Sequence, residues 1–250
     1  MINFIYKHKS FFLKLKRKLN STLGFEIIKY PTPELDRRIK LLKNNKITVV
    51  LDVGANIGQY GTELRSIGYK GRIISFEPTK DAYNKLLKNS KNDKLWEVYN
   101  FSLGDFDGDA EINISQNSVS SSILNNLPQL TESAPGAKFV AKEKIEVKKI
   151  DSVFDTFSLD KERIYLKIDT QGYENMVIDG AKNSLDKITG IQIEMSLIPT
   201  YEGAISFEEM MKKLNSLNFK TTSIESGYYD KRTGNLLEVD GIFFKNLSHE

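Results

Sequence analysis

Three short stretches of this 250-residue chain hold residues whose types and spacing could do chemistry. The first is Asp52-Val53-Gly54-Ala55-Asn56-Ile57-Gly58, a glycine-bearing turn directly after an apolar run. Gly54 permits a tight turn and close backbone approach, and Gly58 opens the next helix, whose amides favour a negative group. A dinucleotide fingerprint would need glycine at positions 54, 56 and 59, but this chain has Asn56 and Gln59. A phosphate-binding P-loop fails as well, because no Gly-Lys-Ser/Thr follows. Glu77 closes the next apolar run, and a carboxylate there can accept both hydroxyls of a ribose. A ribose-bearing cofactor without phosphates tolerates such a loop. The plainer reading of the two glycines is a strand–helix turn of any doubly wound fold.

The second and third stretches are Lys167-Ile168-Asp169-Thr170-Gln171-Gly172-Tyr173-Glu174 and Gln192-Ile193-Glu194. Strand periodicity places Lys167 and Asp169 on one face, while Gln192 and Glu194 alternate with Ile191, Ile193 and Met195. Central parallel strands are normally continuous apolar runs, so these polar residues must pair with each other or line a pocket. One reading is a buried ion pair that positions two strands. In the other, Asp169 stands at a strand's carboxyl tip and accepts or orients an acceptor's proton, with Lys167 and Glu194 as supports. A competing mechanism gives Asp169, Glu194 and Glu174 to a magnesium ion, which would polarise the acceptor directly.

These residues need a frame. Short apolar runs alternate with helical stretches from Ile47 onward, which implies a mostly parallel, helix-covered sheet. The expected strands are Ile47–Val53, Arg72–Phe76, Trp96–Leu103, Ile164–Ile168 and Gly190–Met195, with helices at Gly58–Ile67, Lys80–Lys88, Tyr173–Gly180 and Phe207–Leu217. Lys220–Ile224 and Leu237–Phe244 should form an antiparallel pair, since the segment joining them is too short for a helical crossover. Between the third and fourth main strands lies a less regular insertion. It has strands at Ala110–Ile114 and Lys144–Lys149, the serine-rich Ser118–Ser122, and a loop at Pro128–Gly136. Ahead of the sheet, Pro31 and Pro33 mark a linker and Glu34–Leu42 a short helix.

Composition narrows the chemistry. The chain has no cysteine and two histidines, His8 and His249, both near the ends, so thiolate, disulfide and histidine-dyad chemistry are excluded. The net charge is +3, yet residues 1–20 carry six cations and no acid, which leaves the rest at −3. The body therefore offers no general basic field for nucleic acid. Residues 1–20 read as a basic amphipathic helix that could cover the domain, pair with another copy, or rest on anionic lipid. No apolar run approaches a membrane span, so the expected location is cytoplasmic, with peripheral contact at the inner membrane surface through this segment.

Val49–Tyr60, Ile74–Pro78, Asn100–Asp105, Tyr165–Ala181, Gln192–Gly203 and Val239–Phe244 together resemble the FkbM family of methyltransferases, over about residues 47–245. The resemblance implies the class I methyltransferase fold: a seven-stranded, mostly parallel sheet with one antiparallel strand, helices on both faces, and S-adenosylmethionine at the first strand's tip. Residues 31–250 would form this domain, with residues 1–30 a basic extension. Asp52, Gly54, Asn56 and Gly58 would face the methionine end of the cofactor, Glu77 would hold the ribose, and Ser102 and Asp105 would lie by the adenine. Asp169 would face both sulfonium and acceptor. On the acceptor side the resemblance points to Ser121, Ser122, Gln171 and Tyr201; many family members have Glu where this chain has Gln171. The family's activity implies O-methylation of a hydroxyl, expected here on a sugar of a surface glycan or glycolipid. A polyketide acceptor and a silent cofactor-binding partner subunit are the alternatives.

Overall fold

The computed structural model describes residues 14–24 and 28–245. The chain divides into two units between Arg38 and Ile39. In the first, residues 14–23 are helical, so the expected basic helix over 1–20 lies only partly within the described residues. Helix α1 (Pro33–Asn44) starts where the Thr32 hydroxyl accepts the Leu35 amide.

The second unit is built on seven strands. In chain order these are β1 (Val49–Val53), β2 (Arg72–Phe76), β3 (Trp96–Tyr99), β7 (Ile164–Ile168), β8 (Ile188–Ser196), β9 (Phe219–Ser226) and β10 (Glu238–Lys245). Their spatial order is β3-β2-β1-β7-β8-β10-β9, and β10 alone runs antiparallel to both of its neighbours. The order reverses beside β1, which pairs in parallel with β2 and with β7. Ligands of open α/β sheets collect outside the carboxyl ends of strands at such a switch.

β1 is buried at all five residues because helices cover both faces. One face packs Leu51, Ile74, Leu166 and Ile193 with Val177, Met210 and Leu214, drawn from α5 (Glu174–Asp179) and α6 (Phe207–Ser216). Ser206 and Glu209 form a capping box at the start of α6. The other face packs Val50, Ile73, Tyr165 and Ile242 with Ile39, Leu42, Leu64 and Leu86. Leu64 comes from α2 (Gln59–Ser66) and Leu86 from α3 (Lys80–Ser90).

Two expectations need correction. The third strand does not run on to Leu103: it ends at Tyr99, because the Asn100 side-chain amide donates to the carbonyls of Glu77 and Pro78 and bends the chain there. Ser102–Leu103 becomes β4 of a second sheet, order β4-β6-β5, with β5 at Gly108–Ser115 and β6 at Phe139–Lys148. Finally, Pro128–Gly136 is not an open loop. It forms helix α4 (Pro128–Ser133), where Pro128 supplies a preset first-turn φ, and a 3-10 turn at Pro135–Ala137.

Candidate functional site

The glycine turn leaves β1 with every amide from 54 to 58 already committed. Gly54 and Ala55 donate to the Phe76 carbonyl at 3.1 and 3.0 Å, and Asn56 donates to Glu77 Oε2 at 2.9 Å. The Ile57 amide meets Asn56 Oδ1, and Gly58 donates to the Ala55 carbonyl. No amide of this turn is left to cradle a phosphate. The amides of residues 54–58 are thus spent on the turn itself, which suits a ligand without phosphates.

Glu77 stands at the tip of β2, buried, and its Oε1 also accepts the Thr79 amide and hydroxyl. Burial pushes its carboxyl up, against hydrogen bonds from Thr79 and Asn56 that pull it down. An ionised carboxylate has about four acceptor positions and three are taken here, so one, on Oε2, remains for a ribose hydroxyl. The donor set thus fits a nucleoside whose charge lies elsewhere.

Gly54 has φ +75°, and a Cβ there would sit 1.8 Å from the Asp169 carbonyl oxygen. Its missing side chain lets β1 and β7 close on one another; the neighbour filling that space is protein. Asn56 adopts φ +46°, a left-handed conformation in which Asn is among the better-tolerated residues, and its Nδ2 reaches the Ser118 carbonyl. Asp52 is fully buried, so its carboxylate acts from behind the loop and presents no surface to a ligand.

Behind the loop a polar row crosses four strands, because in-register neighbours in a sheet share a face. Ser75, Asp52, Lys167 and Gln192 are successive partners. Trp96 Nε1 donates to Ser75 Oγ, which donates to Asp52 Oδ2. Lys167 Nζ lies 3.3 Å from Asp52 Oδ1, in ion-pair contact without hydrogen-bond alignment, and donates to the Gly54 carbonyl. It also lies 3.5 Å from Asp169 Oδ2 and over the Tyr60 ring. Burial alone would lower Lys167, but Asp169 and Asp52 outweigh it and hold the ammonium charged. Beyond it, Tyr60 donates to Gln192, whose amide donates to Asp240.

Asp169, just past the end of β7, is the accessible partner of this row, its side chain 38% exposed. The carboxylates around it are less free. Burial, together with Asp169 and Glu238, pushes the half-buried Glu194 well up. Burial also raises Glu174 and Glu238 to about 7. Glu174 Oε1 accepts the amides of Thr170 and Gly172 and the Thr170 hydroxyl, so it is committed to its own loop. The carboxylate best placed to meet a ligand is Asp169.

The acceptor-side residues divide. Gln171 touches both Asp169 and Glu194 through Nε2, at 2.9 Å each. Ser122 and Tyr201 are buried and grip Gln171, the hydroxyl of Ser122 on its carbonyl and the phenol of Tyr201 on its Oε1. Ser121 turns inward, donating to Ser118 and accepting the Ser115 amide. Ser122 and Tyr201 thus shape the site from inside. Ser102 is buried in β4, while the exposed Asp105 accepts the Tyr173 phenol. Tyr60, Thr79, Asn100 and Tyr173 were not expected. Their signal in the sequence was only a polar or amphipathic residue beside a recognised motif.

Residues 52–221 match the family described as Methyltransferase FkbM domain. The 2-O-methyltransferase NoeI of Sinorhizobium fredii (strain NBRC 101917 / NGR234) is 24% identical over 220 residues, covering 84% of this chain and 89% of that one. Among solved structures, a candidate methyltransferase from Thermobifida fusca YX has a TM-score of 0.50 at 10% identity, over 85% of this chain and 79% of that one. TrmK of M. capricolum, solved with S-adenosyl-homocysteine, has a TM-score of 0.45 at 12% identity, over 87% of this chain and 70% of that one.

Proposed function

The chain belongs to the FkbM methyltransferase family and is an S-adenosylmethionine-dependent methyltransferase, and we propose that it methylates a hydroxyl of a saccharide. The observation that carries this is Asp169: a half-exposed carboxylate at the tip of β7, paired with a buried, permanently charged lysine. Glu77 would hold the ribose, the 54–58 turn would face the methionine end, and Ser102 and Asp105 would flank the adenine. When bound, the cofactor supplies an electrophilic methyl group on a sulfonium.

Asp169 then has one task, to accept the proton that an attacking hydroxyl must lose, or to point that hydroxyl's lone pair forward. Lys167 keeps Asp169 oriented from the protein side, and Glu194 borders the same space. The name of the similar 2-O-methyltransferase supports oxygen as the accepting atom. A sugar hydroxyl is not acidic enough to react at neutral pH unaided, which is why a carboxylate at this position matters.

The test uses methyl-labelled cofactor with a total glycolipid and polysaccharide extract, with and without chelator. Label in a base-stable ether linkage is the expected product, with chelator making no difference. Base-labile label would indicate an ester. Cofactor binding without transfer to any fraction would favour a silent partner subunit. Loss of transfer on chelation, restored by magnesium, would replace the carboxylate mechanism by a metal-assisted one.

The acceptor is proposed to be lipid-linked. Leu15, Leu19 and Leu23 repeat every four residues along helix 14–23 and are 42%, 42% and 53% exposed, beside exposed Lys14, Arg17 and Lys18. Such a stripe suits an anionic membrane surface, each cation contributing about 1 kcal/mol. Co-sedimentation with anionic vesicles should fall sharply when residues 1–20 are removed; unchanged binding would sink this part.

A further inference from the structure

We propose that Gln171 is the positioning residue of the acceptor side: its uncharged carboxamide links Asp169 to Glu194 and fastens both to the insertion. The inference rests on the reading of Asp169 as the group that meets the acceptor hydroxyl. Every polar atom of the Gln171 side chain is in use. Nε2 donates to Asp169 Oδ1 and Glu194 Oε2, and Oε1 accepts the Tyr201 phenol at 2.7 Å. Its carbonyl accepts Ser122 Oγ at 2.7 Å, and its backbone is left-handed, with φ +57°.

The orientation with Nε2 on the two carboxyl groups matches a donor to each acceptor. Turned over, Oε1 would lose that match with Asp169 Oδ1 and Glu194 Oε2, while the Tyr201 phenol, kept protonated by burial, can accept as well as donate. The groups crowding this position are Lys167 and Asp169 from β7, Glu174 from α5 and Glu194 from β8. Tyr201 follows β8, and Glu238 and Asp240 come from β10. The lysine approaches Asp169 through Oδ2, so Oδ1 is left to Gln171.

Two carboxylates that close must share a proton, a cation or a neutral donor. The carboxamide is the neutral donor, and it does not titrate. It also gives the insertion a route to Asp169, since Tyr201 donates to the Ser120 carbonyl as well as to Gln171. A shift of the Ser120–Ser122 segment moves the amide, and the amide moves the carboxylate.

The experiment compares full-length wild type, Q171E and Q171M. The introduced carboxyl can donate only while protonated, so its folded pKa must rise above its unfolded value of about 4.3. Its stabilisation is present below that unfolded value and is lost as pH rises through the folded one. Scanning calorimetry should thus find Q171E within a few degrees of wild type near about pH 5, with the gap widening steadily towards about pH 8.5. Q171M should be lowered by a constant amount at every pH. Label transfer to the glycolipid extract should follow: Q171E at least about tenfold down at the alkaline end and recovering with acid, Q171M down throughout. Affinity for S-adenosylmethionine should stay within about twofold in both, because Gln171 touches no cofactor-loop atom.

A Q171E profile parallel to wild type would overturn the proposal. So would cofactor affinity falling in step with transfer. If Q171E folds at no pH, a Q171M protein with wild-type melting and transfer overturns it, and a lowered, pH-independent Q171M supports it. Should wild type transfer no label, the proposed function fails, while the melting profiles still decide the role of Gln171.

Discussion

Lys167 shows how one side chain serves several neighbours in this molecule. It neutralises Asp52, holds Asp169 and braces the carbonyl of Gly54, all from a position 7% exposed. Removing one partner of a buried pair costs about 3–5 kcal/mol, because the remaining charge stays buried. Lys167→Met should therefore lower the melting temperature by roughly 10 °C, at about 2–4 °C per kcal/mol for a domain of this size. Combining it with Asp52→Asn should recover much of the loss. A double variant no more stable than the single one would mean that the ion pair does not govern stability here. Lys167 and Asp169 were legible as residues in the sequence, because a lysine in an apolar strand demands a partner. Which partner it takes was not legible, and the ion pair read as an alternative to chemistry is part of the same cluster as Asp169.

At the scale of elements, the close approach of β1 and β7 decides whether the site exists. Gly54 makes that approach by giving its side-chain space to the Asp169 carbonyl. Gly54→Ala should both destabilise the domain and weaken cofactor binding, since the strands must part to admit the methyl. Gly203→Ala is the control: φ is also positive, +79°, but nothing lies within 4 Å of its added Cβ. It should cost only about 1–2 kcal/mol of backbone strain. Equal losses in the two variants, by thermal melting and cofactor calorimetry, would mean that strain and not contact governs position 54. Strand and helix positions were largely legible because burial imposes periods of 2 and 3.6. The second sheet was not. Its β4 belongs there by pairing Ser102 and Leu103 with Val147 and Lys148, partners distant in sequence.

For the molecule as a whole, the carboxylates around β7, β8 and β10 set how stability depends on pH. Glu174 and Glu238 are raised to about 7 by burial, so the folded chain binds these protons more tightly than the unfolded chain. Their contribution is present below the unfolded value and is lost as pH rises through about 7. Melting temperature should accordingly fall between about pH 4.5 and about pH 7.5, and Glu174→Gln should flatten that slope because the amide cannot ionise. A rising or level profile in the wild type would contradict the burial of these groups.

The sequence alone determined the sheet, the glycine turn, the carboxylate at the end of β2 and the family. Each rests on local signals: side-chain periodicity, glycine spacing, and an acid at a strand end. The tertiary structure decided the rest. It turned Asp52, Ser122 and Tyr201 inward, consumed the loop's amides, and made Gln171 a joint between carboxylates from different strands. Those outcomes depend on desolvation and on hydrogen bonds between residues as far apart as Ser122 and Gln171. Such energies belong to a packed interior, and a linear chain has none until it folds.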